Sequence, residues 1–239
     1  MSTALKKLTY TILLVDKLSQ PAQSICKSMQ KIQKESQAAF SSVMKGFSGL
    51  LASSTIFSSF TAPAREFEKS LNEVASLGTS TDDLDALSKA SKSFAMQFGA
   101  DAASVARSAY DIQSAIPGLA KGALAAFTYQ GNMLAKATKA DAAIITKFQG
   151  TMYNIFEKSA NKMGQAKWIE ALTGKTAYAI KMYKSSGNDM SQAFTNLGSI
   201  GQKAGVSLDE QLAVLGTLQG TMGGANAGTA YKAFLNTVG

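Results

Sequence analysis

GTSTDDLDALSKASKSFAMQFGADAASVARSAYDIQSAIPG, residues 78–118, decides the fold class. Gly78 closes one segment. Ser80, with Asp82 and Asp83, opens the next. A hydroxyl at the N-cap takes up orphan backbone N–H groups, and acidic residues suit the positive end of a helix dipole. The helix runs to about Phe98, where Gly99 stops it. Asp101 then caps a second helix over 102–115, which ends before Pro117-Gly118. Two capped helices in one short stretch predict a mostly α protein.

The same punctuation extends in both directions. Upstream, Pro63 suits a first helical turn, and 64–77 places Phe67, Leu71, Val74 and Leu77 on one face. Downstream, helices are expected at about 120–137, 140–158 and 163–184. Gly187-Asn-Asp189 opens one over 189–203, and the capping box of Ser207 with Glu210 opens one over 208–219. A glycine, one or two residues, a capping side chain and an amphipathic helix recur at Gly99, Gly187 and Gly205. No fixed period emerges, so this reads as helix-hairpin grammar rather than a solenoid. Composition agrees. Hydrophobic residues make up 46% of the 239, enough for a core, and only Pro21, Pro63 and Pro117 interrupt the chain. The apolar set leans on Ala, Leu and Met, which enter helices at little cost.

The N-terminal part reads differently. Residues 8–15, Leu-Thr-Tyr-Thr-Ile-Leu-Leu-Val, predict one short strand. From Leu18 the apolar and small residues step by four and three through Ala22, Ile25, Met29, Ile32, Ser36, Ala39, Val43, Gly46 and Leu50, a heptad seam. Residues 19–60 therefore read as a long helix. Self-association is expected through Ile25, Met29, Ile32, Ala39, Val43 and Leu50. The domain division is 1–62, strand and long basic helix, and 63–239, a compact multi-helix region.

Net charge is +8, and residues 1–50 hold seven lysines against Asp16 and Glu35. That imbalance points to an acidic partner (a nucleic acid, an anionic membrane or an acidic protein surface) or to a solvated helix face. Residues 46–64 are uncharged and long enough to span a membrane. Their serine and threonine content and Pro63 favour a buried helix continuing the seam. Thr11 to Val15 is too short an apolar run for a signal peptide.

Chemistry is constrained by omissions. The chain has no histidine and one cysteine, Cys26. Ser–His–Asp and Cys–His arrangements, zinc clusters and an internal disulfide are thereby excluded. Asp82, Asp83 and Asp85 cluster where capping accounts for them. Gly223-Gly-Ala-Asn-Ala-Gly228-Thr229 has the glycine spacing of a phosphate-binding loop, but no lysine follows Gly228 and the segment follows a helix. Gly223, Gly224, Gly228 and Thr229 are therefore expected to form a tight core-closing turn leading into a closely packed helix. No catalytic, cofactor or metal site is expected.

Several phrases, in order, resemble the core of phage tail tape measure proteins. They are Ala-Arg-Glu-Phe-Glu-Lys-Ser-Leu-Asn-Glu-Val-Ala-Ser-Leu-Gly-Thr at 64–79, the helices at 81–87 and 89–98, Gly-Ala-Asp-Ala-Ala-Ser-Val-Ala from Gly99, and Ala-Tyr-Asp-Ile from Ala109. Ala-Gly-Val-Ser-Leu-Asp-Glu-Gln-Leu-Ala-Val-Leu from Ala204 and Ala-Gly-Thr-Ala-Tyr-Lys-Ala-Phe-Leu at 227–235 complete the set. The early strand, Asp16-Lys17-Leu18-Ser19 and the basic helix resemble how such proteins begin. The resemblance implies a non-enzymatic structural protein present in several copies inside the tail tube, assembled in the bacterial cytoplasm, that templates tube length. It implies tail tube protein, tail assembly chaperones and baseplate hub proteins as partners; a transient membrane contact, or a nucleic acid bound by the basic arm, ranks below these. Fully helical, 239 residues reach only about 360 Å, short for that family, so a fragment of a longer chain is expected. The alternative is a membrane-active, channel-forming module that inserts 46–64 during delivery.

Overall fold

The computed structural model describes residues 61–238, with side chains from 64 to 237. The strand expected at 8–15, the helix at 19–60 and the seam residues Ile25, Met29, Ile32, Ala39, Val43 and Leu50 lie outside the described residues. Those described are mostly helical and include no strand. In order they form α1 (Thr61–Ala75), α2 (Thr81–Phe98), α3 (Ala102–Ala115), α4 (Ala123–Thr138), α5 (Ala142–Met163), α6 (Gln165–Tyr183), α7 (Gly187–Leu197), α8 (Ile200–Lys203) and α9 (Leu208–Val238).

Local chemistry sets most of these boundaries. The Ser80 hydroxyl accepts the Asp83 N–H at 3.2 Å and donates to the Asp83 carboxylate at 2.7 Å. Gly99, left-handed at φ 61°, ends α2. The Asp101 carboxylate takes the N–H groups of Ala103 and Ser104 at 3.2 and 2.9 Å. Ser207 accepts the Glu210 N–H at 3.2 Å, and the Glu210 carboxylate takes the Ser207 N–H in return.

Three ends differ from expectation. The helix placed at 189–203 stops at Leu197, because Gly198 takes φ 63°, ψ −147°, and the short α8 follows. The helix placed at 140–158 continues to Met163, through a non-helical point at Phe156, since no breaker occurs before Gly164. The helix placed at 208–219 runs on to Val238, but Gly223 interrupts it at φ 72°, ψ 169°.

The described residues fall into two compact units, with the change at Tyr129–Gln130 inside α4. In the first, α1 packs on α3 and α2 packs on both. Phe67, Ala103 and Ala106 form one buried apolar cluster of it, with Leu71 and Ala102 against them. The Asp83 carboxylate also accepts the N–H of Gly122, just ahead of α4, at 2.7 Å. In the second, α7 is the central helix, with α9, α5 and α6 around it. Phe148 meets Phe194 edge-on, with ring centroids 5.9 Å apart, and Tyr153 meets Trp168 at 6.0 Å.

The two units repeat one backbone plan. After α1 the chain turns through left-handed Gly78, and after α6 through left-handed Lys184. The next helices are capped by Ser80 and Ser186, each bonded to an aspartate three residues on, Asp83 and Asp189. Left-handed Gly99 and Gly205 follow, then the caps Asp101 and Ser207. Each member of the second set lies 106 positions after its counterpart. The last helix opens with Gly-Ala-x-Ala-x-x-x-Tyr in both, at 122–129 and 224–231. A common offset of 106 positions therefore relates the two units as far as the Asp101 and Ser207 caps, and it becomes 102 at the last helix. It is carried by caps and left-handed positions, while the apolar residues between them differ.

Asp83 tests the first unit. The Gly122 N–H, and next the Ser80 hydroxyl, hold its carboxyl below the ordinary value of 3.8. A depressed folded pKa adds stability above the unfolded value and loses it as pH falls through the folded one. Asp83→Asn is expected to reduce hydrogen-exchange protection of α2 and α4 at neutral pH and to flatten its loss on acidification below 3.8. An acid profile identical to that of the unaltered chain would contradict this role.

Candidate functional site

The glycine turn singled out in the sequence lies where α7 and α9 meet. The α7 N-terminus is built first. The Ser186 hydroxyl accepts the Asp189 N–H at 3.0 Å and donates to one oxygen of its carboxylate at 2.6 Å. The other carboxylate oxygen accepts the N–H of Gly224 at 3.2 Å. Gly223 has just broken α9, so this N–H belongs to a fresh helix start and has no helical partner of its own. Asp189 thus caps the second half of α9 as well as α7.

Close packing follows from that anchor. A Cβ on Gly224 would fall on the backbone of Asp189. One turn later, a Cβ on Gly228 would fall on the Ala193 carbonyl, with the Ala193 Cα only 3.0 Å away. Both glycines are buried, and Ala193 and Ala227 are fully buried beside them. Another turn along, the Asn196 amide donates to the Ala225 carbonyl at 2.9 Å and to the Thr229 hydroxyl at 3.3 Å. Of the four predicted residues, Gly223 supplies the break, Gly224 and Gly228 the close contact, and exposed Thr229 a polar tie at the edge. Asp189 and Asn196 were missed. The twice-occurring Ser-x-x-Asp, each followed later by Gly-Ala-x-Ala, was the signal that could have found Asp189.

α9 folds back at the break. Burial, and next the charge of Glu210, push the Tyr231 hydroxyl up to about 12. In the first half of α9 Gln211 lies against Gly201, past the end of α7, and Gln219 reaches the Met190 sulfur, in its first turn, at 3.6 Å. In the second half Gly224 meets Asp189 and Gly228 meets Ala193, so the chain reverses along α7 at Gly223. The first half is held by α6: Lys175 pairs with Asp209 at 2.7 Å, and the Tyr183 ring lies on the backbone of Gly216.

This geometry excludes a phosphate loop. The anion position at the helix start is filled by the Asp189 carboxylate, and the glycines lie against backbone. Elsewhere, two of the three clustered acids have structural partners: Asp83 caps, and Asp82 pairs with Lys121 at 2.6 Å. Among the described residues no group of His, Cys, Asp and Glu is placed to hold a metal ion, and no helix is long and apolar enough to cross a membrane.

Two outcomes are expected. Gly224→Ala or Gly228→Ala should each destabilise the second unit by about 1–3 kcal/mol through overpacking. Gly220→Ala, in the same helix with open space around it, should be neutral or stabilising by up to about 1 kcal/mol; urea unfolding of the three variants compares them. Tyr231 carries an alkaline signature. Its raised pKa adds stability that is complete below the ordinary value of 10.0 and is lost as pH rises towards about 12. Tyr231→Phe should remove that stretch of pH dependence from urea unfolding, and an unaltered profile would count against it.

Comparison with known proteins gives one result. No curated protein and no solved structure matches the chain. The model of the phage-related minor tail protein family matches residues 88–239, from within α2 through α9. That is well over half of the chain and takes in the whole Asp189–Gly224 site, so the chain belongs to the phage-related minor tail protein family, as a structural component of the phage tail.

Proposed function

We propose that the chain is the front and core of a tail tape measure protein. The observation that carries this reading is the ordered set of tape-measure-like phrases from 64 to 235. They end in Ala-Gly-Thr-Ala at 227–230, the segment that packs beside α7 at the Asp189–Gly224 cap. Membership of the minor tail family supports it, as does a helical chain whose glycine loop serves packing. In this reading several copies lie in the lumen of the tail tube and set its length during assembly. They touch the tail tube protein along the tube, the assembly chaperones before it forms, and the hub proteins of the baseplate at its end.

A ruler has a linear response. Across a series of in-frame deletions and duplications along the gene that encodes the chain, tail length measured by electron microscopy should change by about 1.5 Å per residue of helix. Tails of constant length that still contain the altered protein would overturn the reading.

A further inference from the structure

α9 holds 31 residues, and Gly223, at φ 72°, ψ 169°, is the one non-helical point inside it. That region of backbone space is essentially closed to residues with a Cβ. Nothing crowds the point itself. Residues 220–223 are exposed, and a Cβ at Gly223 would meet no atom within 4 Å. The break is therefore a matter of two dihedral angles, not of packing around them.

The two halves are held separately. The first half is anchored where it lies: Lys175 of α6 pairs with Asp209 at 2.7 Å, the Tyr183 ring lies on Gly216, and Gln219 reaches Met190. The second half is held by α7, through Asp189 on Gly224, Ala193 against Gly228, and Asn196 on Ala225 and Thr229. Of these contacts only the Asp189–Gly224 bond needs the break, because only a fresh helix start leaves that N–H open. Straightening at Gly223 hands the N–H groups of residues 224–227 to the carbonyls of residues 220–223. Asp189 keeps its bond to Ser186. The remaining contacts with α7 lie on the side of a helix. They are the same whether that α7 belongs to the same chain or to another.

Direction closes the geometry. The first half of α9 runs antiparallel to α7, from Gly201 towards Met190, and the second half runs parallel to it, from Asp189 towards Asn196. A straight α9 carries its second half out past the N-terminus of its own α7. An α7 that receives it must run opposite to the donor's. A two-fold axis at Gly223 meets this condition for both copies at once, which is the symmetry of a closed dimer.

We propose that the second half of α9 is exchanged between two copies of the chain, with Gly223 as the hinge. Each α9 in the pair is straight and about 46 Å long, and its second half fills the place beside the partner's α7. The fit selects the occupant. The line of α7 from Asp189 to Ala193 admits only a helix face without Cβ atoms, and Gly224 and Gly228 of a second copy present that face. The pair keeps the side contacts, restores helix bonds and gives up one capping bond per chain. What holds the monomer closed is then the loss of independent motion on pairing, so chain concentration decides between the two forms. This does not rest on the tape measure reading.

Mixed single-cysteine chains test it. In a Cys26→Ser background, full chains carrying Asn196→Cys are unfolded in urea and refolded together with full chains carrying Thr229→Cys. The two side chains touch across the α7–α9 contact. A 196–229 disulfide between different chains therefore reports exchange, whereas 196–196 and 229–229 products report collision. Gly223→Ala in both chains removes the backbone conformation of the break and is expected to raise the 196–229 product severalfold, with the joined peptides identified by mass spectrometry. Asp189→Ala leaves Gly223 in place and removes the bond that only the closed form makes. It is expected to raise the same product, increasingly so at higher chain concentration. A 196–229 yield no higher than the collision products in both variants would overturn the proposal. So would a Gly223→Ala chain that stays monomeric with its helical content retained. Where Gly223→Ala lowers helical content, the Asp189→Ala yield decides.

Discussion

The carboxylate of Asp189 holds the reversal of the chain at Gly223. A helix that stops and restarts exposes new N–H groups, and the first of them here belongs to a buried glycine. Left without a partner it would cost about 1–3 kcal/mol. The partner comes from the first turn of α7, where the same carboxylate closes the Ser186 box. One charge thus sits at the positive ends of two helix dipoles. With those ends tied at 3.2 Å, the helices start side by side. Ala193 must then meet Gly228 a turn later, and Asn196 must meet Ala225 and Thr229 after that. Only residues without a Cβ fit the first two positions of that approach on α9.

Asp83 does the same in the first unit with a different turn. Its carboxylate ties the Ser80 cap to Gly122, but the chain reaches Gly122 through the loop of Ile116, Pro117 and Gly118 rather than through one broken residue. The shift between units drops from 106 to 102 across this stretch. The loop holds the four extra residues. The device tolerates the change because a capping carboxylate reads only where the N–H arrives, not how the chain got there.

Sequence reading succeeded where the cause is local. Ser80, Gly99, Asp101 and the Ser207–Glu210 box each act within a few residues, and their helices begin or end within a residue or two of expectation. It failed where the cause lies across the fold. Nothing near Gly223 says that its break will be capped by a residue 34 positions earlier, and Gly198 ends α7 inside an otherwise helical pattern. The repeat was hidden for a related reason. Backbone geometry fixes residue type only where φ is positive or a cap is needed. Cores accept many apolar combinations of similar volume, so Leu87 can answer to Ala193 and Phe94 to Ile200.

The glycine spacing at 223–228 shows why motif and site must be separated. In a phosphate loop the glycines let backbone N–H groups approach an external anion at a helix start. Here the same spacing lets backbone approach backbone, and the anion is the chain's own carboxylate. The two uses exclude each other, because one helix start cannot offer the same N–H to both. Supplying Asp189 from α7 commits the loop to holding the fold together. The minor tail family match covers this loop and its carboxylate together. A tail component works through its surfaces and extent, and closing this anion-ready helix start gives up nothing such a role requires.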